Sequence, residues 1–127
     1  MRLSENTGMP ILELDVVCLC AQWCGTCREY AQTFEQLKAA LPGHRYRWID
    51  IEDEADVIGD VDVETFPTLM VAHQGVVLFA GPVLPRLTDA QRLLEAQVAR
   101  WESGNHRPVS GLPDDQFLAY TELARSL

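Results

Sequence analysis

Short apolar runs and helical repeats of apolar residues alternate along this chain. Val16 to Ala21 is apolar at every position, which is typical of a central strand in a sheet that is covered by helices. From Arg28 to Leu41 the apolar residues recur at helical spacing, and Pro42-Gly43 is expected to end that helix. Tyr46 to Ile51 predicts a second strand. Because a helix intervenes, this strand is expected to run parallel to the first.

The second half of the chain predicts a hairpin followed by helices. Leu69 to Ala72 and Val76 to Ala80 are β-rich runs joined by three residues that end in Gly, a pattern that predicts an antiparallel hairpin. Gly81-Pro82 is expected to break the sheet. Thr88 is a candidate N-cap of a helix whose apolar face extends to Trp101. Together these elements predict an α/β fold with a central mixed β-sheet of about four strands flanked by helices.

The end of the chain is expected to form an extension. Residues 103–111 have the composition of a linker, and Pro113 to Leu127 offers enough apolar positions for one more short helix. We therefore expect one domain over residues 1–103, followed by a linker and a C-terminal helical extension over residues 104–127. The extension is expected to pack on the domain, and self-association is the alternative.

Charge narrows the classes of partner. The chain has 127 residues and a formal net charge of -9, which argues against binding to nucleic acid or to anionic membrane surfaces. The stretch Met1 to Pro10 is polar, and the apolar run after it is interrupted by Glu13 and Asp15. Neither a secretory signal nor a membrane-spanning helix is predicted from it, so a cytoplasmic location is expected.

All four cysteines fall between positions 18 and 27, so they do not staple distant parts of the fold. Cys24 and Cys27 are three positions apart at a predicted strand-to-helix junction, where their sulfurs are expected to be close enough to bond. A helix N-terminus carries unpaired amides and about half a unit of positive charge, which favours a thiolate. Cys24 is therefore predicted to be the nucleophile and the deeper Cys27 the resolving thiol.

A metal site is the alternative use of paired cysteines. Zinc commonly takes two such pairs, and no second pair follows Cys27. A four-cysteine site would require Cys18 and Cys20, two residues of a core strand, to turn toward one ion. No metal and no bound cofactor are expected, because a cysteine pair stores the electrons itself.

The order of elements and three short motifs resemble the thioredoxin family. The motifs are Ala21-Gln22-Trp23-Cys24-Gly25-Thr26-Cys27, Phe66-Pro67-Thr68, and Gly81 after the last strand. The resemblance covers about positions 12 to 102. It implies a thioredoxin-like fold and a dithiol that exchanges disulfides with protein substrates, with electrons supplied by a reductase or a small thiol.

The resemblance also implies a substrate-binding surface. In that family the proline that matches Pro67 is cis and lies against the cysteine pair, and the backbone beside it pairs with the substrate chain. Thr65 and Phe66 are therefore expected to help form a docking groove. Trp23 is expected to be a platform that faces the substrate, and an anchor of the strand end is the alternative.

Several positions depart from the family pattern. Thr26 stands where the family usually has proline, Cys18 where it keeps a buried aspartate, and Trp48 near the place of the partner lysine. Cys18 is expected to fill space in the core; a third thiol close to Cys27 is the alternative. Cys20 lies on the same strand face as Cys18 and is likewise expected to pack. The three histidines are expected to be solvated loop residues.

A thiol-disulfide oxidoreductase that acts on protein disulfides through Cys24 and Cys27 is the function that these observations predict. The runner-up is a non-enzymatic module of the same fold, which binds a partner near Pro67 while its dithiol is slow or regulatory.

Overall fold

Residues 12–127 are described by a computed structural model and contain four strands and four helices. The polar stretch Met1 to Pro10 lies outside the described residues. The strands and helices that the apolar pattern predicted are present, with ends shifted by one to three residues. Their bounds are β1 Asp15–Cys20, α1 Gly25–Ala40, β2 Arg45–Asp50, α2 Ala55–Ile58, β3 Thr68–His73, β4 Val76–Pro82, α3 Leu87–Glu102 and α4 Asp114–Ser126.

β1 lies inside the sheet and pairs on both sides. The strand order is β2-β1-β3-β4. β2 runs parallel to β1, whereas β3 is antiparallel to β1 and β4 is antiparallel to β3. The predicted mixed sheet of four strands and the predicted hairpin are therefore confirmed. Residues 16–20 of β1 are all buried, as the uninterrupted apolar run required.

Side chains of β1 alternate between two apolar layers because successive residues of a strand point to opposite faces. Cys18 and Cys20 belong to the layer that α1 and α3 fill. Val17 and Leu19 belong to the other layer, which α4 fills together with the end of α2. All four cysteines are consequently on the α1 side of the sheet or next to it.

α1 is held on the sheet by an aromatic contact. The ring of Phe34 meets the rings of Tyr46 and Trp48 edge-on, at centroid distances of 5.7 and 5.8 Å. Such pairs contribute about 0.5–1.5 kcal/mol beyond the area that they bury. The contact fixes the middle of α1 against the sheet. The buried positions of α1 follow helical spacing and are Cys27, Tyr30, Phe34 and Leu37.

α4 closes the second face of the sheet. Gln116 anchors its first turn, since its Oε1 accepts a hydrogen bond from Asp62 N at 2.8 Å and its Nε2 donates to Asp60 O at 3.1 Å. The segment before α4 is tied to β4 by a bond from Val109 N to Val77 O at 2.8 Å. Residues 104–127 thus pack on the sheet, and a domain boundary at residue 103 stays a prediction. The buried residues of α4 are Ala119, Tyr120, Leu123 and Ala124.

Two details of the predicted elements were wrong. Gly81 pairs with Leu69 and Pro82 with Thr68, so β4 continues through both residues. This is possible because β4 is an edge strand, where the missing N–H of proline leaves no ladder partner unsatisfied. Thr88 is not the N-cap of α3, because the helix begins at Leu87 and its N-cap makes no side-chain hydrogen bond.

The three histidines, predicted to be solvated, are half-exposed, and each also makes a specific contact. His44 Nδ1 accepts a hydrogen bond from Leu14 N at 3.1 Å. His73 meets the ring of Trp101 edge-on at 4.5 Å, and His106 stacks on the same ring at 3.7 Å. The contacts of these rings hold the residue before β1 and the end of α3 in place. None of the three histidines lies in the cysteine motif.

His44 is expected to make stability depend on pH. Burial lowers the pKa of His44, and the nearby Glu13 carboxylate opposes that shift in part. The unfolded chain therefore binds a proton more readily than the folded protein, so the free energy of unfolding falls as the pH drops through about 6.5. In His44→Asn the side-chain oxygen can still accept from Leu14 N without titrating. Between pH 7 and pH 5, we expect the free energy of unfolding of this variant, measured by urea denaturation, to fall by less than that of wild type. Equal losses in the two proteins would contradict the assignment.

The helices are short compared with a bilayer. α1 and α3 have 16 residues each, and α4 has 13. A spanning helix needs about 20 apolar residues. Within residues 12–127, no helix has the length and apolar character needed to cross a membrane.

Candidate functional site at the start of α1

Cys24 lies at the N-cap of α1, between the end of β1 and the first helical turn. Its N–H donates to Ala21 O at 3.0 Å, and its carbonyl accepts from Arg28 N at 3.2 Å. The Cys24 side chain makes no capping hydrogen bond, and the first turn contains no acidic residue. Cys24 is half-buried and is not in a disulfide. A substrate can therefore approach its sulfur from solvent.

Cys27 lies one turn deeper and is only 1 % exposed. Its sulfur is bonded to Cys20, the last residue of β1, with the two Cα atoms 5.7 Å apart. That separation is within the ordinary range for a disulfide. The expectation that Cys24 and Cys27 would be the bonded pair does not hold in this structure. The expectation that Cys20 only fills space in the core was wrong.

Cys27 has a cysteine on each side of it. Cys24 is the N-cap residue and has an extended backbone, with φ -84° and ψ 121°, so its side chain is not held at helical spacing from Cys27. Cys20 approaches Cys27 from the strand below, where α1 packs directly on the sheet. Both partners are close to Cys27, and the structure contains the buried one.

Cys18 lies beside this disulfide as a buried thiol. Its Sγ is 3.8 Å from Cys20 Sγ, and the S–H of Cys18 is the donor because Cys20 is in a disulfide. Trp48 is the residue paired with Cys18 on β2. Burial raises the pKa of the Cys18 thiol well above its ordinary range, so Cys18 keeps its proton at neutral pH.

The other buried polar group near Cys18 is the hydroxyl of Tyr30. Burial raises the pKa of Tyr30, and the neighbouring Cys18 and Asp89 add to the shift. The hydroxyl has no hydrogen-bond partner among the described residues. Since Tyr30 and Cys18 both stay protonated at neutral pH, neither can accept a proton from Cys27.

A second loop lies against the cysteine motif. The peptide bond between Phe66 and Pro67 is cis, as the family resemblance implied, and Pro67 is buried. Thr68 Oγ1 donates to Thr65 O at 2.6 Å, and Val83 N donates to Pro67 O at 3.1 Å. These two bonds fix the loop that precedes β3 against the start of β3 and the residue that follows β4.

An aromatic pair joins the two loops. The rings of Trp23 and Phe66 meet edge-on with centroids 5.5 Å apart. Trp23 is nevertheless 63 % exposed, and Thr65 is exposed as well. The Trp23 loop is held by Arg28, whose Nη1 donates to Gln22 O at 3.0 Å. The structure therefore brings Trp23, Cys24 and Phe66 to one surface, with Cys27 beneath it.

Residues 12–127 contain no group of three or more His, Cys, Asp or Glu side chains arranged to hold a metal ion. The four cysteines are not arranged around one ion either. Cys20 and Cys27 are bonded to each other, and Cys18 contacts only Cys20 of that pair. The chemistry that the arrangement supports is exchange between sulfurs.

Comparison with known proteins agrees with this geometry. The family model named Thioredoxin matches residues 11–82, which is more than half of the chain. The chain belongs to the thioredoxin family. Its sheet and helices are those of a thioredoxin fold: thioredoxin from Fasciola hepatica is 25% identical with a TM-score of 0.56, over 67% of this chain and 81% of that one.

Other members of the thioredoxin family are similar to parts of the chain. Thioredoxin H1 from Arabidopsis thaliana is 34% identical over 65 residues, which cover 51% of this chain and 57% of the relative. Thioredoxin f2, in a complex with ferredoxin:thioredoxin reductase, has a TM-score of 0.59 at 17% identity, over 67% of this chain and 77% of that one. The chain spans about half the length of the curated thioredoxins that it matches.

The residue that sequence reasoning missed is Cys20. Its role in the disulfide was not predicted because residues seven apart across a strand-to-helix junction have no fixed separation. A signal was nevertheless present, since Cys20 ends the strand from which α1 folds back. A side chain at that end of the strand lies directly under the first turn of α1, where Cys27 is buried.

Proposed function

We propose that this protein is a thiol-disulfide oxidoreductase that exchanges disulfides with protein substrates through Cys24 and Cys27. The observation that carries the proposal is the position of Cys24, accessible at the N-cap of α1 and one turn above the buried Cys27. The membership of the thioredoxin family supports the same chemistry.

The first step needs an accessible nucleophile. With all thiols reduced, the Cys24 thiolate attacks one sulfur of the substrate disulfide, and a bond forms between Cys24 Sγ and that sulfur. The other substrate sulfur leaves as a thiolate and takes a proton from water. Cys24 suits this step because it is the only cysteine of the motif that is not buried.

The second step needs a thiol close to Cys24 but shielded from substrate. The Cys27 thiolate attacks Cys24 Sγ and releases the second substrate sulfur, which is also protonated. The substrate disulfide has then gained two electrons, and Cys24 and Cys27 have lost them as a disulfide. Because Cys18 and Tyr30 keep their own protons, the proton of Cys27 leaves through the solvent that reaches Cys24.

The substrate chain is expected to bind across the surface beside Cys24. Trp23 and Phe66 supply an apolar contact, and the exposed Thr65 supplies backbone groups next to Pro67. An extended peptide that places its disulfide over Cys24 would pair with this backbone as an added strand does.

Trp23→Ala is expected to weaken substrate binding. A large exposed aromatic at the centre of a contact surface contributes about 1–2 kcal/mol, so KM for a protein disulfide should rise about 5- to 30-fold while kcat changes less. The free energy of unfolding should fall by about 0.5–1.5 kcal/mol at most, which is the contribution of an edge-to-face contact such as that with Phe66. Steady-state kinetics with insulin measure the effect. Leu118→Ala, which removes an equally exposed side chain from α4, is the control, and an unchanged KM in Trp23→Ala would contradict the proposed surface.

The partners follow from the chemistry. Protein disulfides are the proposed substrates, and the oxidised pair must be reduced by a reductase or a small thiol. A relative of the same fold is known in a complex with ferredoxin:thioredoxin reductase, which supports a protein donor. A cytoplasmic location is proposed. The protein would reduce substrate disulfides there, because that compartment keeps thiols reduced.

Reduction of insulin by dithiothreitol, followed by the precipitation of the free B chain, tests the proposal. The wild-type protein at catalytic concentration should shorten the lag and raise the rate of precipitation. The same rate with and without the protein, under conditions where the cysteines are confirmed to be reduced, would reject the oxidoreductase function.

One observation favours the runner-up, a binding module whose dithiol is slow or regulatory. Cys27 is bonded to Cys20 in the core, which leaves Cys24 without its resolving partner in this state. If the insulin assay shows no turnover, the surface of Trp23 and Phe66 would remain as a site for a protein partner.

A further inference from the structure

We propose that Cys20 is a third redox cysteine, which exchanges with Cys24 for the bond to Cys27 and so moves the active disulfide between the surface and the core. The inference rests on the proposed function and deepens it by adding a regulated state of the same site. It differs from the sequence-based alternative, in which Cys18 was the third thiol.

The positions of the sulfurs carry this proposal. Cys27 is bonded to Cys20 at a Cα separation of 5.7 Å, and Cys24 lies one helical turn from Cys27 on the solvent side. Cys27 therefore has a partner on each side, one buried and one half-exposed. Thiol-disulfide exchange requires only that a third sulfur approach one sulfur of an existing disulfide.

The exchange step is balanced and needs no external oxidant. The Cys24 thiolate attacks Cys27 Sγ, the bond between Cys24 and Cys27 forms, and the bond between Cys20 and Cys27 breaks. Cys20 leaves as a thiolate and takes up the proton that Cys24 has lost, by way of the solvent at the start of α1. The number of electrons in the protein does not change, and the reverse step returns the disulfide to the core.

Cys18 acts on the leaving sulfur without joining the exchange. Its Sγ lies 3.8 Å from Cys20 Sγ, so its S–H can donate a hydrogen bond to a negative charge that develops on Cys20. Cys18 does not become the nucleophile, because burial raises the pKa of its thiol and keeps it protonated. Cys18 is thus a positioning residue for Cys20.

The exchange gives the protein two oxidised forms with different behaviour. With the disulfide between Cys24 and Cys27, the oxidised pair can react with an external thiol. With the disulfide between Cys20 and Cys27, the oxidised pair is about 1 % exposed at each residue, and Cys24 is a free thiol. A donor protein cannot reach the buried disulfide until the exchange is reversed.

Peptide mapping tests this directly, because the sequence places cleavage sites between the cysteines. Trypsin cuts after Arg28, and chymotrypsin cuts after Leu19 and Trp23. Cys24 and Cys27 therefore stay on one peptide, residues 24–28, while Cys20 is released on residues 20–23 and Cys18 on the peptide before it. The reduced protein is oxidised with one equivalent of diamide and alkylated in its native state with iodoacetamide. Its remaining thiols are then blocked with N-ethylmaleimide in urea, so that no disulfide exchanges afterwards, and the protein is digested near neutral pH. We expect residues 20–23 linked to residues 24–28, with the alkyl group on Cys24.

Cys20→Ser provides the matched comparison. In the oxidised variant Cys24 has only Cys27 as a partner, so residues 24–28 should carry an internal disulfide and native alkylation of Cys24 should be lost. Cys18→Ala, two residues earlier on the same strand face, should retain the bond between Cys20 and Cys27. Stoichiometric alkylation of Cys24 in oxidised wild type and its loss in Cys20→Ser would support the exchange.

An internal disulfide in residues 24–28 of the oxidised wild type, with no link to residues 20–23, would overturn the proposal. The mapping requires no turnover, so it stands apart from the insulin assay. An inactive protein that still links Cys20 to Cys27 would reject the proposed function alone, whereas an active protein without that link would reject the exchange alone.

Discussion

Cys24→Ser is expected to lower the rate of protein disulfide reduction by about a thousandfold or more, because a serine hydroxyl cannot replace a thiolate as the attacking group. The substitution changes one atom at a half-buried N-cap position, and serine is itself a favoured N-cap residue. The loss should therefore appear in turnover and not in the free energy of unfolding. Insulin reduction and urea unfolding of the same preparation measure the two quantities.

Thr26→Ser is the control, since it also places a serine hydroxyl in the exposed first turn of α1. Cys27→Ser gives a complementary result: it should retain the first step and accumulate a mixed disulfide between Cys24 and the substrate, visible on a non-reducing gel. If Cys24→Ser reduced insulin at a rate close to that of wild type, the nucleophile would lie elsewhere and the proposed mechanism would be wrong.

Leu123→Ala is expected to cost about 2–5 kcal/mol of the free energy of unfolding, because a buried leucine is replaced by a cavity. Leu123 is 2 % exposed and lies in the apolar layer that contains Val17 and Leu19 of β1. Domains of this size have about 5–15 kcal/mol of stability in total, so the variant should lose a large fraction of it. The melting temperature should fall by on the order of 10 °C.

The matched control lies five residues away on the same helix. Leu118 is 61 % exposed, so Leu118→Ala should change the free energy of unfolding by no more than about 0.5 kcal/mol. Denaturation followed by circular dichroism gives both values. Equal effects of the two substitutions would mean that α4 does not belong to the core. Residues 104–127 would then be an extension outside the domain, in agreement with the predicted boundary at residue 103.

Much of the fold could be predicted because the chain is locally consistent. The apolar run of β1 and the helical repeat of α1 specify a strand buried on both faces and a helix that covers one of them. The helix between β1 and β2 makes these strands parallel, and the short turn between β3 and β4 makes them antiparallel. The position of α4 could not be read from the chain, because its apolar residues would fit either the sheet or a second copy.

The candidate site was predictable in part. The Trp-Cys-Gly-Thr-Cys run pointed to Cys24 and Cys27 as candidates and gave no indication of Cys20, whereas the cis bond before Pro67 followed from the family resemblance. The partner of Cys27 did not follow, because it depends on the height of α1 above the end of β1. That height is set by side chains far along the chain, such as Phe34 packing on Trp48.

The covering of the sheet by α4 has a consequence for synthesis of the chain. All four strands leave the ribosome before α4, so one apolar side of the sheet is covered only by the end of α2 in the interval. Adding residues 83–126 takes roughly 2 to 9 s at about 5–20 residues per second. During that time Val17, Leu19 and Met70 are open to chaperones and to neighbouring nascent chains, and the yield of folded protein should depend on how soon the final helix arrives.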